Sequence, residues 1–445
     1  MQLKLFRIVE TIRSSYWFLP SVMAAGALVL GVAAVWLDAG PGTDWLDSIG
    51  WYQKAKPDAA REMLSAIAGS MITVAGVVFS ITIVAIAFAA AQYGPRVLTN
   101  FMADRGNQLT LGTFIGTFVY SLVVLRTIHS GDTAFVPQFA VLLGIFLALC
   151  SIAVLIFFVH HVPRSIHVNS VIGQIGSQLA KRIEERAPIS SSDEEAEGNG
   201  GAANCGIEPA PRAAQVRSYR TGYVKAIDQD RLVELACKHD LLARIVCAPG
   251  DFAYTGRPLV EISPTDRLTE ECCDELHNAF AIGASRTPAQ DMLFLVDELV
   301  EITARALSTG VNDPFTAITC IDWMGAATAQ MAKRGANSDE RRDEKGALRL
   351  IIPTAQFETL VDRGFGRARS YVAGDVIVAR HALGTLSLVS HSCRTPEQVE
   401  TLRAEANALM ATAEVLLKEP QLPGVRDAKC VADSSFDEQL KELGA

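Results

Sequence analysis

The sequence predicts a mostly α-helical integral membrane protein: four transmembrane helices, then a cytoplasmic α+β domain with a small β-rich subdomain and a helical one. Three observations carry this. The chain of 445 residues is 49% hydrophobic although 20% of it is charged, and its mean hydropathy is +0.23, which is high for a water-soluble protein. The excess lies in four long apolar runs within the first third. Beyond them the composition is that of an ordinary soluble domain.

The first run, Trp17 to Leu37, holds 21 residues without a charge, about 32 Å of helix against a hydrocarbon core of about 30 Å. Lys4, Arg7 and Arg13 precede it as they would a secretory signal, but the run is longer than a signal's apolar region, so it is expected to be an uncleaved first span. The others cover about 64–92, 109–127 and 136–159. A membrane domain over 1–163 follows, with the lipid bilayer as its first partner.

Orientation comes from the flanks. Lys4, Arg7 and Arg13 precede the first span, Arg96 and Arg105 lie between the second and third, and Arg164 follows the fourth. The loop 128–135 has no Lys or Arg, while 38–63 carries Lys54, Lys56 and Arg61, which weakens the bias without reversing it. Trp45, Trp51 and Tyr52 in that loop suit a membrane interface. Both termini are therefore expected in the cytoplasm, with the protein in a bacterial inner membrane.

Ionisable groups inside a membrane mark ion or proton paths. Only Arg126 falls within a span, near the outer end of the third beside His129. It either snorkels to the headgroups or marks an anion site at a pore mouth, and snorkelling is the expectation. No Asp or Glu lies in any span, which disfavours a proton-coupled pump. In the second span Gly69, Thr73, Gly76, Ser80, Ala87 and Ala90 recur at spacings of three, four or seven. Such a face permits close helix packing, or lines a narrow water path in a homo-oligomer. Gly112 and Gly116 add a G-x-x-x-G to the third. Gly94, Pro95 and Arg96 mark the inner end of the second span, with a hinge as the sharper alternative.

An amphipathic stalk is expected over 164–187, with Val168, Ile172, Ile175, Leu179 and Ile183 at heptad-like spacing and an oligomer contact as its use. His160, His161 and His167 nearby lack partners at ligand spacing and are expected to be solvated. Residues 188–213, rich in Ser, Gly, Ala and acid, form a flexible linker. Over 214–264 short strands surround a helix at about 229–238. The turn around Pro249 and Gly250 and the second turn at Gly256 suit a small barrel-sandwich hairpin, but a lipoyl- or biotinyl-carrier needs a lysine at the tip and none is there. A helical subdomain over 265–425, with polar loops such as NSDERRDEKG (337–346), and a tail over 426–445 complete the plan.

Eight of the nine cysteines lie beyond Arg164, in the expected cytoplasmic part, so no disulfide framework is anticipated. Residues 164–445 hold 31 Lys and Arg against 41 Asp and Glu, a net of about −10 that argues against nucleic acid. Cys273 and His277 stand one helical turn apart beside Cys272, without the second ligand pair of a zinc site. No metal or cofactor is expected. The sequence has no G-x-S-x-G, Walker A loop or H-E-x-x-H. Arg363, Arg367 and Arg369 in RGFGRAR offer either a solvated basic turn or an anion contact, the former preferred.

The most site-like stretch is RALSTGVNDPFTA, 305–317. Asp297, Glu301 and Arg305 form a charged stripe on the helix that precedes it. Gly310 suits the left-handed position after that helix, Asp313 an N-cap and Pro314 the next helix start. Arg305, Ser308, Thr309 and Asn312 exceed what capping needs, so with Asp313 they are candidates for an internal polar network or for a small-molecule or ion site of unknown ligand. No nucleophile and base are paired there, so catalysis is the least favoured reading of the stretch.

RALSTGVNDPFTA, with GPRVLTNFMADRGNQLTLGTFIGTFVY at 94–120, resembles a bacterial family of predicted inner-membrane proteins classed as a domain of unknown function. The likeness extends over nearly the whole chain and implies a multi-helix membrane region with a cytoplasmic extension. The leading expectation is a homo-oligomeric, channel-like or transport protein gated by its cytoplasmic domain. A membrane-anchored ligand-sensing protein is the alternative, and a membrane enzyme a weaker third.

Overall fold

The computed structural model describes residues 16–39, 56–94, 104–129, 135–186, 213–334, 339–353 and 355–444. The loop aromatics Trp45, Trp51 and Tyr52, nearly all of the acidic linker, and Pro95 with Arg96 lie outside them. The chain forms two compact units that divide after Ser170.

In the membrane unit four helices are long and apolar enough to cross a bilayer: α1 (Phe18–Ala39), α2 (Pro57–Tyr93), α3 (Arg105–Thr127) and α4 (Gln138–Ile166). Helix α3 is the centre. It buries Leu111, Phe114, Tyr120 and Val124 among residues of the other three. Its G-x-x-x-G is where α1 approaches: a Cβ on Gly112 would stand 2.4 Å from Met23 Sδ, and one on Gly116 3.5 Å from Ala27 Cβ. Several polar groups pair inside the unit, as a medium without water favours. Thr117 Oγ1 and Ser151 Oγ share a hydrogen bond of 3.0 Å, and Tyr120 Oη donates to the Ala140 carbonyl. Asp38, at the end of α1, accepts from the Phe139 and Ala140 amides at 3.1 and 2.8 Å and so caps α4.

The carboxyl-terminal unit begins with α5 (Val168–Arg186). The apolar face that the spacing offers as an oligomer seam is covered by its own chain: Ile172, Ile175, Leu179 and Ile183 are all buried. Trp323 lies against Gly173 and Gly176, and Arg334 Nη1 donates to the Ile183 and Glu184 carbonyls. Two sheets follow. Strands β1 (Ala214–Arg217), β3 (Leu242–Ile245), β5 (Pro258–Ser263), β7 (Asp339–Arg342) and β8 (Leu348–Ile352) form one, in the order β1-β5-β3-β8-β7. Among the described strands only β3 and β8 pair in parallel, through Ala243 and Leu350. Strands β4 (Phe252–Ala253), β2 (Gly222–Ile227) and β6 (Phe280–Gly283) form the other. Helices α6 (Gln229–His239) and α7 (Glu270–Asn278) contribute Leu232, Leu235, Cys272 and Leu276 to the sheet core.

Two expectations need correction. NSDERRDEKG is not simply a polar loop, since β7 lies within it and pairs with β8. Among the described strands it is an edge, and all four of its residues are charged, so no apolar alternation marks it in the sequence. The tail is a helix, α14 (Leu422–Glu442), packed on α12 (Val376–Ser390) and α13 (Pro396–Leu416). Its apolar residues are few, yet Leu422, Val425, Ala432 and Phe436 share one buried face. The remaining helices are α8 (Met292–Ala306), α9 (Pro314–Ala332), α10 (Phe357–Val361) and α11 (Arg367–Val372). The last two are joined through a π-helical turn, Asp362–Gly366.

Candidate functional site

Helix α8 buries side chains nearly all round, among them Leu295, Val296, Leu299 and Ile302. Asp297 stands in this surface with only 5% of it exposed, so its carboxylate needs cations close by. Arg363 supplies a two-pronged contact, Nε to Oδ1 at 2.8 Å and Nη2 to Oδ2 at 2.7 Å. Arg286 donates to Asp297 Oδ2 through Nη1, and Arg367 Nη1 approaches Oδ1 at 3.3 Å. The Arg286 fork also holds Asp291 Oδ2, with Nε at 2.8 Å and Nη2 at 2.6 Å. Its guanidinium lies 5.4 Å from the centre of the Phe294 ring.

Three local features assemble this cluster. Asp291 is the N-cap of α8 and accepts from the Phe294 amide at 3.1 Å. The π-helical turn sets Arg363 and Arg367 toward α8, while Gly364 packs against Met324 and Val296. Gly250, with φ +96°, lets the loop before β4 pass so close that a Cβ there would be 2.1 Å from Asp291 Oδ2. The cluster thus joins the smaller sheet's loop to the helices. Burial works to raise the Asp297 pKa, but the hydrogen bonds and charges of Arg363 and Arg286 outweigh it and hold the carboxyl below its ordinary range.

RGFGRAR is therefore no solvated turn. Arg363 is an internal counter-ion, and Arg369 Nε donates to Glu405 Oε1 at 2.8 Å. Only Arg367, with its side chain 51% exposed, both touches Asp297 and faces water. The signal for this centre was an acid inside the apolar run MLFLVDELVEI, which requires a cation. Grouping Asp297 with Glu301 and Arg305 hid that requirement, because Arg305 pairs with Glu301, at 3.5 Å, while the cations of Asp297 come from Arg286, Arg363 and Arg367.

The corner at 305–317 is an exposed turn. Ser308, Thr309 and Asn312 face solvent, so they do not form a buried network. Ser308 Oγ donates to the Arg305 carbonyl at 2.7 Å, and the Asp313 amide to that of Ala306 at 2.7 Å. Asp313 caps α9, accepting from the Thr316 amide at 3.1 Å and its hydroxyl at 2.6 Å. The left-handed residue is Asn312, φ 49°, and not Gly310. An extra turn after α8 delays the reversal by two residues, and asparagine tolerates that conformation better than most.

Elsewhere, His277 Nε2 meets the Arg217 carbonyl at 2.6 Å and Cys272 lies in the sheet core. Among the described residues no three His, Cys, Asp or Glu come together as metal ligands. Burial pushes the Cys247 thiol up to about 11 and those of Cys320 and Cys393 to about 12, which leaves little thiolate for nucleophilic chemistry. His161, expected to be solvated, meets Asp104 Oδ2 at 2.8 Å. Asp104 is the N-cap of α3. Arg126 is exposed near the end of α3. Gly69, Thr73, Gly76, Ser80 and Ala87 are all exposed as well, and a Cβ on Gly69 or Gly76 would meet nothing within 4 Å.

Residues 13–387 match the family model described as "Predicted membrane protein (DUF2254)". The chain belongs to this family. It is similar to uncharacterized proteins of Mycobacterium bovis and of two strains of Mycobacterium tuberculosis. Each is 29% identical over 420 residues, covering 92% of this chain and 78% of the relative. No solved structure matches the chain at a significant level.

Proposed function

We propose that the chain is one subunit of a homo-oligomeric, channel-like protein of the bacterial inner membrane, with both termini and the carboxyl-terminal unit in the cytoplasm, where that unit gates it. The observation that carries this reading is the open face of α2. The helix turns Leu64, Ala68, Met71, Ala75, Val78 and Thr82 into its own bundle, while Gly69, Thr73, Gly76, Ser80 and Ala87 point away from it. In lipid, small residues gain nothing from the bilayer but permit close contact with another helix. Thr73 Oγ1 is satisfied by the Gly69 carbonyl at 2.8 Å, which keeps the face smooth.

Asp58, Glu62 and Ser65 continue the same line at helical spacing toward the start of α2, and all three are exposed. Lys56 and Arg61 stand beside this line, Arg61 donating to the Ile128 carbonyl at 3.1 Å, but the charges on the line itself are acidic, and with the small and hydroxyl residues that follow they favour a cation as the permeating species. The test is reconstitution. Gly76→Cys copies should cross-link in lipid, and liposomes should conduct potassium in preference to chloride. Protein that stays monomeric in lipid and passes neither ion overturns the proposal.

A ligand-sensing role is favoured by one observation, the half-exposed Arg367 beside buried Asp297. An anion that draws this guanidinium outward would act on the cluster without a preformed cavity. A phosphate-dependent rise in thermal stability that Arg367→Ala removes would support it, and no shift with phosphate or nucleotides would end it.

A further inference from the structure

We propose that the paired loops 217–223 and 251–257 form a docking surface for anionic lipid headgroups. The loops are fixed to each other by backbone: the Ser218 amide donates to the Arg257 carbonyl and the Gly256 amide to that of Ser218, both at 2.8 Å. Arg217 Nη1 adds a bond to the Gly256 carbonyl at 3.0 Å. With their main chains so occupied, they present side chains outward. Tyr219, Phe252 and Tyr254 are 53%, 45% and 57% exposed, a concentration of aromatic surface that the sheet core does not use.

Arginine accompanies these rings. The Arg220 guanidinium lies 5.2 Å from the centre of the Tyr219 ring, and among the described residues neither Arg217 nor Arg220 has a carboxylate partner. Asp251, the acid of these loops, accepts from the Ala248 amide and lies 3.6 Å from Arg257. The patch is thus basic on a chain whose net charge is −9, which opposes a nucleic-acid partner. Aromatic rings with polar tips settle at the headgroup level of a bilayer, and guanidinium forks match phosphate. A chain with four apolar spans never leaves its bilayer, so headgroups are always at high local concentration. Each arginine near an anionic surface strengthens such an encounter.

The test uses the full chain in nanodiscs of phosphatidylcholine alone and with about 30% phosphatidylglycerol, read by amide hydrogen exchange. Residues 217–223 and 251–257 should exchange at least about threefold more slowly in the anionic discs, and Arg217→Glu with Arg220→Glu should abolish the difference. The corresponding lysine variants should keep much of it, while exchange in β3 and β5 reports that the fold is intact. Equal exchange in both discs overturns the proposal. So does equal protection in lipid-free detergent, which would indicate a second copy or the chain's own acidic segment, or protection by a soluble oligonucleotide but not by anionic discs.

Discussion

Helices α2 and α5 carry the same sequence device and meet opposite fates. Each sets glycines along one face, Gly69 and Gly76 in α2, Gly173 and Gly176 in α5. In α5 the Trp323 ring fills the place, so close that a Cβ on Gly176 would stand 2.2 Å from it. In α2 nothing among the described residues fills the place. A small-residue face therefore signals close approach but not by whom, and the partner is identified only by asking whether the same chain supplies it.

The first way to sharpen this contrast is to unlock the carboxyl-terminal unit and ask whether the membrane unit notices. Asp297→Ala leaves three arginines around a missing buried charge and should cost about 3–5 kcal/mol. Denaturation followed by the fluorescence of Trp323, the sole tryptophan beyond residue 51, measures it. Cross-linking through Gly76→Cys should be unaffected. Loss of that cross-link would mean the two units share their stability.

Next comes the direct comparison of glycines. Gly176→Val should destabilise by about 1–3 kcal/mol, since Trp323 must shift. Gly76→Val should change the stability of the chain by less than about 0.5 kcal/mol but weaken self-association roughly tenfold. Equal stability losses at the two positions would erase the distinction between them.

Acid acts more gently. The Asp297 pKa is held below its unfolded value, so its stabilising contribution is complete above the ordinary carboxylate range and is lost as pH falls through the lowered pKa. Asp297→Asn should remove that acid limb from a Trp323-detected pH titration. Glu405 has one arginine instead of three, and burial wins over Arg369 to raise its pKa. Its contribution has the opposite sign, favouring the fold as pH falls from that raised value, and Glu405→Gln should flatten this weaker trend. The smallest effect belongs to the corner, where Arg305→Ala or Asn312→Gly should stay within about 0.5 kcal/mol in the same assay.

How much of this was legible follows from what each signal depends on. The spans were, because apolar length alone decides whether a helix can cross a bilayer, and the caps at Asp313 and Pro314 were, because they are local. Arg286, 11 residues from Asp297, and Arg363, 66 residues away, were not, since no periodicity links them to it. Strand β7 and helix α14 were missed for another reason. Both present mostly polar side chains, and their roles come from the pairing with β8 and from the few apolar contacts of Phe436 and its neighbours. The outward direction of the α2 stripe is likewise a tertiary property, fixed by which face Leu64 and Val78 turn toward α3.

The larger sheet also dictates an order of events. Its middle strand β3 is complete at Ile245, but the parallel neighbour β8 arrives about 100 residues later, ending at Ile352. During synthesis, β3 waits with one row of backbone groups unpaired while the intervening helices emerge. A ribosome stalled between these points, or a truncation there, would release a chain with an open apolar strand edge already tethered to a membrane by four spans, a state well suited to aggregation and to recognition by quality-control proteases.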